Sequence, residues 1–150
     1  MLPIFAIISI LVIAEIRRRF VKNELRLAAI LFGVCTACAV LMIFVREFNP
    51  IITVLVIGLM VSSMNGVNLM LISYVPKHYE KTGVVSLVSG VINACTYLGA
   101  SISIYAIAVV SGSFGWTPTI IIWAATAFGG GLLCLLQIRP WEKFTQEMSE

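Results

Sequence analysis

Apolar residues run in five long stretches separated by short polar islands. The stretches are Leu2–Ile16, Leu27–Val45, Ile51–Val75, Val84–Val110 and Thr119–Ile138. None alternates in polarity, as the short strands of a membrane β-barrel would. A helix needs about 20 residues to cross the hydrocarbon core, with a range of about 17–25. The second to fifth stretches meet that length, and the fourth is long enough to tilt or project past the interface. The first is short and begins next to Met1. The pattern predicts an all-α integral membrane protein, a single domain over residues 1–150 with five transmembrane helices. Asn49-Pro50 and Thr117-Pro118 mark two of the turns, because Pro suits the first turn of a helix.

Composition narrows the class. Sixty per cent of the residues are hydrophobic and 11% are charged, with a mean hydropathy of +1.04. A soluble domain is about 45–50% apolar and about 25% charged. This chain has too few charges to coat a water-facing surface of its own size. Disordered, coiled-coil, collagen-like and disulfide-rich secreted chains are excluded on the same arithmetic.

The ten Lys and Arg residues matter through their distribution rather than through the net charge of +3. Five lie between Arg17 and Arg26, Lys77 and Lys81 lie between Pro76 and Gly83, and Arg139 and Lys143 follow the last stretch. Only Arg46 falls on the other side if the helices alternate. The positive-inside rule then predicts an N-out, C-in topology in the plasma or inner cell membrane, multi-pass, with lipid as the first partner. No charge precedes the first stretch, so it does not read as a signal peptide, whose basic residues come first. Trp116 and Trp141 fall at opposite interfaces, where aromatic belts form.

Two helices carry most of the polar residues. In the third, Gly58, Ser62, Asn65, Gly66 and Ser73 share one broad face, with Asn68 at its edge. In the fourth, Ser86, Ser89, Gly90, Asn93, Thr96, Tyr97 and Ser101 form a continuous stripe. An amide without a partner in hydrocarbon costs several kcal/mol, so both stripes are expected to face protein or a watery cavity. The second and fifth helices, mostly Leu, Ile, Val, Ala and Phe, are expected at the periphery. Two readings compete. Small residues four apart (Gly58, Ser62, Gly66; Ser86, Gly90, Ala94) allow close helix packing. Alternatively the stripes line a solute pathway, with Ser62, Asn65, Asn68, Ser89, Asn93, Thr96 and Tyr97 along it. For Gly129-Gly130-Gly131 in the fifth helix, close packing is the preferred role.

Other chemistry is thin. Cys35 and Cys38 form a C-x-x-C pair, and Cys95 and Cys134 complete four cysteines. No cation within that helix would stabilise a thiolate. An intramembrane thiol oxidoreductase is therefore the remote reading, and small apolar fillers the simpler one. His78 stands among lysines without a second ligand at metal spacing, so interfacial solvation is expected. The chain contains no Asp. No catalytic set, phosphate loop, cofactor motif or nucleic-acid patch can be assembled, so the chain does not read as an enzyme.

The segment YVPKHYEKTGVVSLVSGVINACTYLGASISIYAIAVVSGSFGW, from Tyr74 to Trp116, resembles the penultimate-helix region of major facilitator superfamily transporters. Within that family it is most similar to the organophosphate and sugar-phosphate antiporter branch. The resemblance rests on Pro76-Lys77, the turn at Gly83, Tyr97-Leu98-Gly99 and Phe114-Gly115-Trp116. The segment Glu15, Ile16, Arg17, Arg18, Arg19 is similar to the family's charged loop after the eighth helix, with Glu in place of Asp and the preceding Gly missing. The resemblance implies that the five helices correspond to the eighth to twelfth of a twelve-helix fold. It implies that the eighth, tenth and eleventh border a central cavity, and that the ninth and twelfth lie outside. It further implies alternating-access transport of a small polar solute, phosphorylated solutes included. The branch's phosphate-binding arginines sit on its first and seventh helices, which have no counterpart here. The chain is therefore expected to need the missing N-terminal helices or a partner half. A small membrane protein that acts only by assembling with a partner is the alternative.

Overall fold

The computed structural model describes residues 2–19, 23–45 and 50–147. Lys22, Arg46 and Asn49, which enter the charge count and the loop reading, lie outside them. Five α-helices follow in order: α1 (Leu2–Arg19), α2 (Glu24–Val45), α3 (Pro50–Asn68), α4 (Val85–Phe114) and α5 (Trp116–Glu147). No strand occurs among the described residues. Among the described residues, four helical segments are long and apolar enough to cross a membrane: 24–45, 50–82, 85–114 and 116–146. The expectation of five narrows to four because α1 ends in Glu15, Arg17, Arg18 and Arg19, leaving only residues 2–14 free of charge.

The expected loop between Pro76 and Gly83 is helical. Proline lacks an amide hydrogen, and its ring collides with the carbonyl four residues back in an α-helix. The chain widens ahead of Pro76 into a π-turn over Leu69–Tyr74, where the Val75 N–H donates to Met70 O. It then tightens into a 3-10 helix over Val75–Thr82. Residues 50–82 are thus one continuous rod. Gly83 ends it at φ 72°, in the left-handed region, with its N–H donating to Glu80 O at 3.2 Å. A residue with a Cβ is disfavoured there.

The expected loop from Ser111 to Pro118 also shrinks. α4 continues to Phe114, and only Gly115 separates it from α5. Gly115 adopts φ 83° and ψ −173°, a conformation essentially restricted to glycine. α4 has 30 residues, about 45 Å at 1.5 Å per residue. α5 runs past its expected end at Ile138, through Pro140, to Glu147.

α2 is a centre of the bundle, not its edge. It packs most extensively on α5 and next on α3, while α1 lies against α3. Its buried residues Leu27, Ala28, Ala29, Cys35, Cys38 and Ala39 are mostly small and recur at helical spacing. About a third of its most apolar stretch is buried, as in the rod, whereas none of the corresponding stretch of α4 is. The peripheral expectation fails because an all-apolar helix shows no difference in polarity between a protein-facing and a lipid-facing side. Ile13, Leu27, Ala28 and the fully buried Met70 form the core cluster.

Glycine packing is selective. A Cβ on Gly66 would collide with the Ile13 and Leu31 side chains, so this position lets α1 and α2 close on α3. A Cβ on Gly130 would meet the Phe32 ring at 2.8 Å, and one on Gly131 would meet Phe32 Cβ at 3.2 Å. The glycine run of α5 therefore seats the Phe32 ring of α2. Gly58 and Gly90 face open space within this chain.

Candidate functional site

The two polar stripes do not meet as one surface. α4 packs against the π-turn and 3-10 helix and on α5, rather than along the α-helical part of the rod. On α3, Ser62 and Asn65 are half-buried and Asn68 is exposed. Asn65 lines a cavity of about 480 Å³ with Phe32, Cys35, Met64, Trp123 and Thr126. That cavity lies between α2, α3 and α5, and no α4 residue is among its walls. On α4, Ser89 and Asn93 are half-buried, Thr96 is exposed, and Tyr97 is 71% exposed. The Thr96 hydroxyl donates to Ile92 O at 2.8 Å, and Ser101 to Tyr97 O at 2.9 Å. Such bonds to the preceding turn satisfy a hydroxyl without a neighbouring helix.

The strongest polar constellation lies elsewhere, at the end of the bundle where most basic residues gather. Glu24 opens α2 and is 2% exposed. Its Oε1 accepts a hydrogen bond from Arg17 of α1 and lies 3.2 Å from His78 Nε2 of the 3-10 helix. Its Oε2 accepts a long hydrogen bond of 3.5 Å from Trp141 Nε1 of α5. Four elements thus converge on one carboxylate. A buried charge is tolerated when it is paired and hydrogen-bonded. Arg17 Cζ also sits 3.9 Å over the Tyr74 ring, with Lys77 Nζ 4.8 Å from the same ring centre. Arg17 Nε is buried without a hydrogen-bond partner.

Aromatic rings extend the cluster. His78 meets Trp141 edge-on at 5.3 Å, Trp141 meets Phe144 at 5.5 Å, and Tyr79 meets Phe144 at 5.3 Å. Asn23 Nδ2 donates to Glu142 Oε1 at 2.9 Å. Beside these rings lies an apolar groove of about 460 Å³, with Leu71, Cys134, Gln137 and Pro140 among its walls. His78 is therefore packed and paired, contrary to the expectation of simple solvation. The signal missed in the sequence was Glu24, a lone acid next to a basic run whose partners lie up to 117 residues away.

The remaining members of the charged segment behave locally. Glu15 accepts from Arg18 Nε and Nη2 at 2.9 and 2.8 Å, and also from Arg19. These pairs are exposed, so each contributes little to stability. Arg17 alone of the three arginines reaches across to another helix in this cluster. The convergence of residues 17, 24, 78 and 141 brings three basic segments to one end of the bundle.

Cys35 and Cys38 are buried free thiols, Cys134 is half-buried and Cys95 exposed. Among the described residues, no group of three metal-ligating side chains comes together. No protein-family model, curated protein or solved structure matches the chain.

Proposed function

We propose that this chain is the C-terminal, five-helix part of a secondary transporter of the major facilitator type. It would move a small polar solute, phosphorylated solutes included, by alternating access across the cell membrane. In this reading the basic end faces the cytoplasm. The observation that carries the reading is α4. It is a membrane-length helix with a polar stripe, and none of its residues is buried within this chain. A polar stripe in hydrocarbon needs protein or cavity water, and this chain covers only its first turns around Ser89 and Asn93. A missing half would cover the rest and enclose the path.

A second reading has its own support. The half-burial of Ser89 and Asn93 beside the π and 3-10 turns fits a helix that only packs, in a protein that works by assembling with a partner. Uptake assays separate the two. The purified chain alone in liposomes is expected to show no saturable uptake of hexose phosphate or glycerol phosphate. Co-reconstitution with an N-terminal transporter half is expected to produce competable uptake. Competable uptake by the chain alone, or none by the assembled halves, would overturn the proposal.

A further inference from the structure

We infer that the end of α5 from Pro140 onward is a hinged strap, held along one wall of the apolar groove by residues 23 and 24. The strap is the helical segment 140–147, beyond the stretch expected to cross the membrane. Pro140 lies inside the helix, where it removes one backbone hydrogen bond and weakens the joint to the preceding turn. Two polar contacts pin the segment to the start of α2: Trp141 Nε1 to Glu24 Oε2 at 3.5 Å, and Asn23 Nδ2 to Glu142 Oε1 at 2.9 Å. Two ring contacts pin it to the 3-10 helix, Trp141 on His78 and Phe144 on Tyr79.

Pro140, Trp141 and Phe144 form one wall of the groove that also contains Cys134 and Gln137. The seat of the strap therefore depends in part on these side-chain contacts at the end of the bundle, next to a weakened helix joint. Segments held this way open at lower free energy than a packed core. Swinging the strap about Pro140 unseats both rings, widens the groove and raises the exposure of the half-buried Cys134 thiol. Arg17 and His78 keep Glu24 in place when the strap leaves, so the carboxylate remains paired in both positions. The inference does not depend on the transport reading.

The test uses the full chain in nanodiscs, with Cys35, Cys38 and Cys95 replaced by Ala, so that Cys134 is the single thiol. The readout is its rate of reaction with a charged, water-soluble maleimide. Combining Glu142→Ala with Trp141→Phe keeps a ring at 141 and leaves Asn23 to accept from Arg26 N–H, but removes these two polar pins, and is expected to raise the rate at least tenfold. Adding Pro140→Ala restores the helix bond and is expected to bring the rate back several-fold. Arg18→Gln, outside the strap, is expected to leave it unchanged. Circular dichroism verifies that each variant keeps its helix content. A properly folded pin-deleted variant with an unchanged rate would overturn the inference, as would Pro140→Ala accelerating the reaction.

Discussion

Glu24 and Trp141 lie 117 residues apart, and the indole N–H of one reaches the carboxylate of the other. With Arg17 and His78 on the same acid, this contact ties the end of α1, the start of α2, the 3-10 helix and the end of α5 together. These four segment ends therefore meet at one end of the bundle.

Removing the shared carboxylate should be costly. Glu24→Ala strands Arg17 at a partly buried site and is expected to destabilise the bundle by on the order of 3 kcal/mol. Glu15→Ala breaks only exposed pairs and is expected to cost under about 1 kcal/mol. Thermal unfolding in detergent compares them, and equal losses would contradict the assignment of Glu24 as the hub.

Glycine substitutions should sort by neighbour. Gly66→Leu collides with Ile13 and Leu31, and Gly130→Val with Phe32. Each is expected to cost about 1–3 kcal/mol through overpacking. Gly90→Ala meets nothing within 4 Å in this chain and is expected to be neutral or stabilising by up to about 1 kcal/mol. Marked destabilisation of the isolated chain by Gly90→Ala would show that α4 is packed more tightly than described.

Sidedness is tested with single cysteines in a background lacking the native four. A cysteine at Ser113 is expected to react with an impermeant reagent from outside sealed, correctly oriented vesicles. One at Thr82 is expected not to react. The reverse pattern would place the basic end outside and contradict the charge-based topology.

Asn93 distinguishes pathway from packing. Asn93→Leu is expected to insert normally, because Leu is favoured at a helix centre, and, under the proposed function, to impair uptake by the reconstituted halves. Unchanged uptake with a loss of about 1 kcal/mol in bundle stability would assign the amide to helix packing instead.

The length of the apolar stretches made the helices legible. Helix ends were less so. The third and fifth stretches were expected to end at Val75 and Ile138, yet the chain accommodates Pro76 by changing helix type and carries Pro140 within α5. The central position of α2 was hidden because Ala and Cys serve equally against protein and against lipid. The Glu24 cluster was hidden because its members are ordinary interfacial residues one at a time. Their chemistry arises from long-range packing that no local spacing encodes.

Under the proposed function, one face of α4 borders a solute path in the assembled protein. Cysteine accessibility along α4, measured in that assembly, is the decisive measurement. Ser89, Asn93, Thr96 and Tyr97 share one face at about 100° per residue, while Leu87, Val91, Leu98 and Ile102 lie opposite. Cysteines at the first four positions are expected to react with a small charged thiol reagent and to be protected by the transported solute. Those at the other four are expected to stay unreactive. Reaction without this periodicity, or no reaction at any of the eight positions, would contradict the account.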